Sequence, residues 1–113
     1  MLTGGAAVVY PALAVGASGA ILALASALPE KFVELSDLVQ QGKHEQAKRL
    51  QLALATISKR IVSENGIAGV KYAMDLRGYH GGVPRLPLLP LAEEKKQQIA
   101  ALLAQYETSA ARV

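Results

Sequence analysis

At 113 residues the chain is one domain at most, and it is long enough to bury a core. Charged residues make up 19% and hydrophobic ones 51%, a balance that argues against disorder, and a net charge of +3 spread over twelve basic and nine acidic residues forms no basic block. With four tyrosines, one phenylalanine and no cysteine, the composition gives no support to a nucleic-acid surface, excludes a disulfide scaffold and a thiolate metal site, and is compatible with a reducing compartment.

Residues 1–29 carry no charged side chain. About 20 apolar residues suffice to cross a bilayer, so a membrane segment is one reading. Three features oppose it: glycine and alanine are abundant, Pro11 and the Gly16–Gly19 pair divide the stretch, and no basic residue precedes it. The other reading is a buried α/β run, in which strands covered on both faces are continuously apolar. On that reading Leu2–Gly4 ends a strand and Gly4-Gly5 turns the chain into a short helix over 6–15. Pro11 sits early in this helix, where a missing N–H matters least. Gly16 stops the helix, and 19–25 form a second strand. Strand, short helix and strand at this spacing make a βαβ unit with parallel pairing.

From Pro29 the period becomes helical. Phe32, Leu35, Leu38 and Val39 share one face of a helix that Gly42 stops. Ala47, Leu50, Leu54, Ile57 and Ile61 form the apolar stripe of a second helix, with Lys48, Gln51, Ser58 and Lys59 assigned to its solvent side. Asn65-Gly66 breaks the chain, and Ile67, Val70 and Met74 define a third helix that ends before Gly78. Three glycines and three prolines within 78–90 predict an extended, ordered loop. A last helix spans 92–106 with Ile99, Leu102, Leu103 and Tyr106 inward, and Thr108–Val113 fray. There is no internal repeat. Two strands cannot build a sheet covered on both faces, so the chain is expected to belong to a larger sheet and, alone, to leave strand edges unpaired and associate.

Few residues offer chemistry. Lys71 is placed on a helix beside Val70 and Tyr72, whereas a lysine nucleophile needs a desolvated pocket; a structural or interface role fits it better. His44 and His80 are too far apart in sequence to suggest a metal pair. Glu30, Glu34 and Asp37 read as solubilising charges rather than an acid/base pair. Tyr79 either packs under its loop or reaches an interface. Gly16-Ala17-Ser18-Gly19 is too short for a dinucleotide fingerprint, and a strand follows it where a helix is required.

The ordered set Thr3-Gly4, Gly16-x-x-Gly19 before Ile21, Val70-Lys71, Gly78-Tyr79-x-Gly81-Gly82 and Arg85-Leu86-Pro87-Leu88 resembles the carboxy-terminal portion of the dihydrodipicolinate synthase / N-acetylneuraminate lyase family of class I aldolases. The resemblance covers nearly the whole chain and is strongest over 2–29 and 66–90. It implies an α/β fold: residues 1–41 as the last βα units (strands seven and eight) of a (β/α)8 barrel, and 42–113 as a carboxy-terminal helical extension. It implies a homotetrameric carbon–carbon lyase or synthase acting on pyruvate or another 2-oxo acid, without metal or other cofactor, nucleic acid or membrane. A strand-six lysine forms an imine with the substrate, the imine serves as electron sink, and a tyrosine moves protons.

In that scheme Gly4 and Ile21 are the substrate-binding residues of this chain, at the carboxy ends of their strands, where such barrels place the active site. The Schiff-base lysine is expected upstream of Met1, so the chain supplies no catalytic residue and is expected to be inactive alone. The location implied is the cytoplasm, with the mitochondrial matrix as alternative. Gly5 and Ala6 stand where the lysine-biosynthesis branch has acidic residues; Leu22 and Ser26 stand where it has Ser and Asn. The Gly78–Gly82 motif is closer to the 4-hydroxy-2-oxoglutarate aldolase branch. The competing expectation, from residues 1–29, is a small helical membrane-associated or interaction protein.

Overall fold

The uncharged opening stretch folds as strand, helix and strand. In the computed structural model, which describes residues 1–111, β1 (Leu2–Thr3) pairs in parallel with β2 (Gly19–Ala20), with Leu2 opposite Gly19 and Thr3 opposite Ala20. β1 is close to the expected strand end at Leu2–Gly4, whereas β2 is far shorter than the expected 19–25. The predicted strand over 19–25 leaves extended geometry after Ala20 and turns into a 3₁₀ segment at Leu24–Ser26. The cause is packing. Leu24, Ala27 and Leu28 bury themselves against the helices rather than continuing along a sheet. The helix expected over 6–15 divides likewise, into a 3₁₀ turn at Ala6–Val8 and α1 (Val9–Ala14). Pro11 lies in the first turn of α1, where it sacrifices no helical hydrogen bond.

Next comes α2 (Pro29–Gln40), with Pro29 at its first position and Glu30 in the first turn, both suited to a helix start. Phe32 and Leu35 are buried, and Leu38 and Val39 pack at the edge of the core. After Gly42 the chain enters α3 (His44–Ser58), continues through a π-helical turn at Lys59–Ser63, and emerges as α4 (Glu64–Leu76). The break expected at Asn65-Gly66 is therefore a kink within one long helical run. Gly66 takes it up with φ 62° and ψ −148°, a backbone conformation reserved for glycine. Asn65 donates from Nδ2 to the Arg60 carbonyl at 2.7 Å and satisfies a group that the irregular turn frees. The last helix, α5 (Glu93–Ala111), runs further than expected. It continues to Ala111 through the stretch expected to fray, and Arg112 and Val113 lie outside the described residues.

One hydrophobic cluster joins the two ends of the chain. Ala6, Val9, Leu24 and Leu28 from the opening unit meet Leu35, Leu54, Ile61, Ala73, Ile99 and Leu103 from the helices. Of the expected stripe, Ala47, Leu54, Ile57 and Ile61 are buried and Leu50 packs partly buried against them; Ile99 and Leu103 are buried as well. Two placements differ from the sequence reading. Ile67, expected inward, is 55% exposed, because the kink at Gly66 rotates the start of α4. Gln51 and Ser58, assigned to solvent, are buried. Gln51 spans the junction between halves: its Oε1 accepts from the Tyr10 amide at 2.7 Å, and its Nε2 donates to the Ala6 carbonyl at 2.9 Å. A buried amide pays its desolvation only when its groups are paired, and here both are.

Candidate functional site

The parallel register sets Gly4 and Ile21 side by side just past the carboxy ends of their strands. The Ile21 amide donates to the Thr3 carbonyl at 3.0 Å, extending the ladder by one bond beyond β2. A Cβ built on Gly4 would stand 3.9 Å from the Ile21 carbonyl oxygen. That is ordinary van der Waals distance, so Gly4 lies directly beside the Ile21 backbone. The Ile21 side chain is 74% exposed. This rim presents backbone polar groups and an aliphatic surface. It contains no acid, base or nucleophile of its own.

The titratable candidates sit elsewhere and are otherwise engaged. Lys71 on α4 donates from Nζ to the Gly81 carbonyl at 2.8 Å, and the Asp75 carboxylate accepts from the Gly81 amide at 2.7 Å. Gly81 rests so closely on α4 that a Cβ there would collide with the Lys71 carbonyl oxygen. Lys71 therefore fastens the 78–90 loop to its helix. His80 is exposed in that loop, while His44 Nδ1 meets the Tyr10 hydroxyl at 3.2 Å. Among the described residues no cluster of three or more metal-ligating side chains occurs. Tyr79 is half exposed.

Two of the three carboxylates on α2, Glu30 and Glu34, are bound by cations. Glu34 accepts from Lys31 at 3.0 Å, and this bond holds the Lys31 ammonium above its ordinary pKa. Glu30 pairs with Arg77, whose other nitrogen reaches Glu107 at 2.6 Å. Arg77 thereby ties the end of α4 to α2 and α5. Nearby Tyr106 is partly buried, and burial pushes its phenol upward. Sequence reasoning missed Gln51 and Arg77. Gln51 carried a signal: positions 47, 51, 54, 58 and 61 step by four and three along one helix face, but its polarity placed it outside. Arg77 had none, since its partners lie 47 and 30 positions away.

Two parallel strands joined by a short helix, with glycine and aliphatic backbone at their carboxy ends, packed on kinked helices, are the closing βα units of a (β/α)8 barrel with its helical extension. Comparison with known proteins agrees. The profile of the dihydrodipicolinate synthetase family matches residues 1–106, and the chain belongs to that family. The 4-hydroxy-tetrahydrodipicolinate synthase of Geobacter metallireducens is 34% identical over 107 residues, covering 95% of this chain and 37% of that protein. Its counterpart from Caldicellulosiruptor saccharolyticus is 36% identical over 98 residues, 87% of this chain and 33% of that one.

Among solved structures, the KD(P)GA of T. tenax superposes with a TM-score of 0.87 at 29% identity, covering 96% of this chain and 38% of its own. A Sulfolobus 2-keto-3-deoxygluconate aldolase, at 20% identity, shares the fold with a TM-score of 0.91, covering 99% and 39%. The chain thus spans little more than a third of the length of these relatives and corresponds to their carboxy-terminal part. Among the described residues no helix is long and apolar enough to cross a membrane, and the membrane-associated reading is not favoured.

Proposed function

We propose that this chain forms the strand-seven and strand-eight rim and the helical extension of a Schiff-base aldolase or synthase that makes or breaks a carbon–carbon bond in pyruvate or another 2-oxo acid. Residues 1–41 belong to the barrel and 42–113 to the extension. Gly4 and Ile21 border the imine: the bare Gly4 backbone admits the bound 2-oxo acid, and Ile21 closes the opposite side. The observation that supports this reading is the adjacency of Gly4 and Ile21 just past the end of a parallel pair, held by the Thr3–Ile21 hydrogen bond. Family membership supports it.

The lysine nucleophile is not among the lysines of this chain. Lys71, part-buried on α4, is committed to the 78–90 loop. The chain alone therefore has no aldol activity. In the assembled enzyme the lysine amine adds to the ketone carbon, water leaves, and the resulting imine draws electrons from the adjacent carbon. We further assign the enzyme to a homotetramer in the cytoplasm, with the mitochondrial matrix as alternative, as the family resemblance implies.

The test is complementation. The chain is co-expressed with the amino-terminal part of the Geobacter metallireducens synthase that it does not span, then treated with pyruvate and borohydride, which reduces a C=N bond to a stable amine. The expected adduct lies on a lysine of the amino-terminal piece, with none on this chain alone. A pyruvate adduct on Lys71, or on any other lysine of this chain, overturns the assignment.

A further inference from the structure

Ion pairs in this chain are local, with one exception. Among the described residues Lys31–Glu34, Glu45–Lys48, Arg60–Glu64 and Glu93–Lys96 each span three or four positions. Arg77 alone reaches between elements, to Glu30 on α2 and Glu107 on α5, 47 and 30 positions away. Its two outer nitrogens take one carboxylate each, a fork that the single ammonium of a lysine does not offer. The side chain is only 24% exposed, and its Nε is buried without a hydrogen-bond partner. A buried N–H left unpaired costs free energy, so the guanidinium is oriented by its two carboxylates rather than by the solvation of all its donors.

The two helix ends that Arg77 joins have little else to hold them. α2 starts without a side-chain cap, with Leu28 at the capping position. α5 leaves the core after Leu103, and within 104–108 only Tyr106 is partly buried. Lys31, the neighbouring cation, is taken by Glu34 at 3.0 Å. Without Arg77, Glu30 and Glu107 are like charges brought together by two different helices, and they repel. Both carboxylates are well exposed, so each ion pair is weak by itself. Weakness suits a contact that opens, because elements that move are drawn from the least stable parts of a fold.

We propose that Arg77 is the clasp of a strap. Engaged, it shuts the last turns of α5 on the first turn of α2; released, it leaves two carboxylates that repel, and the strap lifts. The effect extends beyond α5, because α2 is the helix that follows β2. Backbone hydrogen bonds from Ser26 to Ala23, from Leu28 to Leu24 and from Lys31 to Leu28 join the turn after β2 to the start of α2, so the two move as one piece. The clasp stands independently of the imine reading of Gly4 and Ile21.

The test is hydrogen exchange of the full chain, read over residues 31–36 and 104–108, with α3 as control. Arg77→Met is expected to speed exchange in both segments about two- to fivefold and to leave α3 unchanged. The decisive variant is Glu107→Gln, which removes one charge and keeps the shape of the side chain. In the parent it breaks an attraction, so 104–108 exchange faster. On an Arg77→Met background it relieves a repulsion, so 104–108 exchange no faster, or more slowly. Arg77→Gln, which keeps a polar group in place, replaces Arg77→Met should that variant exchange faster throughout. Acceleration of the same size by Glu107→Gln in both backgrounds overturns the clasp, because a purely structural role does not depend on the guanidinium. So does a pair of Arg77 variants that loosen only one of the two segments, or the whole chain alike.

Discussion

Residues 1–28 and residues 29–111 fold by different logic. The helical part carries its own instructions: each helix has an apolar stripe, and the stripes meet in one cluster. The opening unit has no such autonomy. Its two strands hold two residues each, its sheet has two unpaired edges, and Leu2 stands exposed at the start of β1 and Ile21 at the rim. Its inward residues, Ala6, Val9, Leu24 and Leu28, reach their places by packing on the helices. Stability therefore resides in the helical side and the chemistry proposed above in the strand side. An enzyme with an active site at strand ends uses that division: the rim keeps exposed backbone and aliphatic surface that the helices must hold in place.

The contrast is sharpest in a pair of truncations. Leu54 is 0% exposed at the centre of the cluster, and Ile21 is 74% exposed. Leu54→Ala removes packed hydrocarbon and leaves a cavity, an expected loss of about 2–5 kcal/mol in denaturant unfolding. Ile21→Ala is expected to change stability by less than about 0.5 kcal/mol, because little is packed against it. Comparable losses at both positions would break the distinction between a scaffold and a rim.

Gln51 tests how firmly the two regions are joined. Its amide pairs with the Tyr10 amide and the Ala6 carbonyl, crossing from α3 to the opening unit. Gln51→Ala strands both backbone groups in a buried setting, with an expected cost of about 1–3 kcal/mol. The specific readout is hydrogen exchange: the Tyr10 amide is expected to lose protection while α4 and α5 keep theirs. Uniform loss of protection would mean that the opening unit and the helices unfold as one body, and the comparison would need to be redrawn.

Legibility in the sequence divides along the same line. The faces of α2, α3 and α5 were readable because period and burial coincide at Phe32, Leu35, Leu54, Ile61, Ile99 and Leu103. The strand over 19–25 was misjudged because a continuous apolar run fits a buried strand and a buried turn equally well, and Leu24 and Leu28 chose the helices. Gly66 was read correctly as a disruption but not as a kink that continues the helix, since the π-turn beside it has no sequence signature. The neighbouring placement of Gly4 and Ile21 followed from the family motif together with the parallel spacing. Arg77 was illegible because its partners converge only in three dimensions.

The smallest effect concerns pH and belongs to the helical side, where the charged residues lie. Lys31 is held above its ordinary value of 10.5 by its hydrogen bond to Glu34, and Tyr106 above 10.0 by burial. Both shifts favour the protonated form in the folded state. Their contributions are therefore intact at neutral pH and are lost as pH rises through the folded values, in a window beginning near pH 10. The Lys31–Glu34 pair is substantially solvated, so its share is expected to stay below about 1 kcal/mol. Tyr106→Phe removes one titration and keeps the ring packed. Unfolding measured from pH 8 to 11 is expected to fall less steeply in this variant than in the parent, with the remaining slope reduced further by Lys31→Met. An unchanged alkaline slope in Tyr106→Phe would show that the phenol is solvated and that the last turns of α5 are not docked on α2. The boundary of the stable scaffold would then retreat to Leu103.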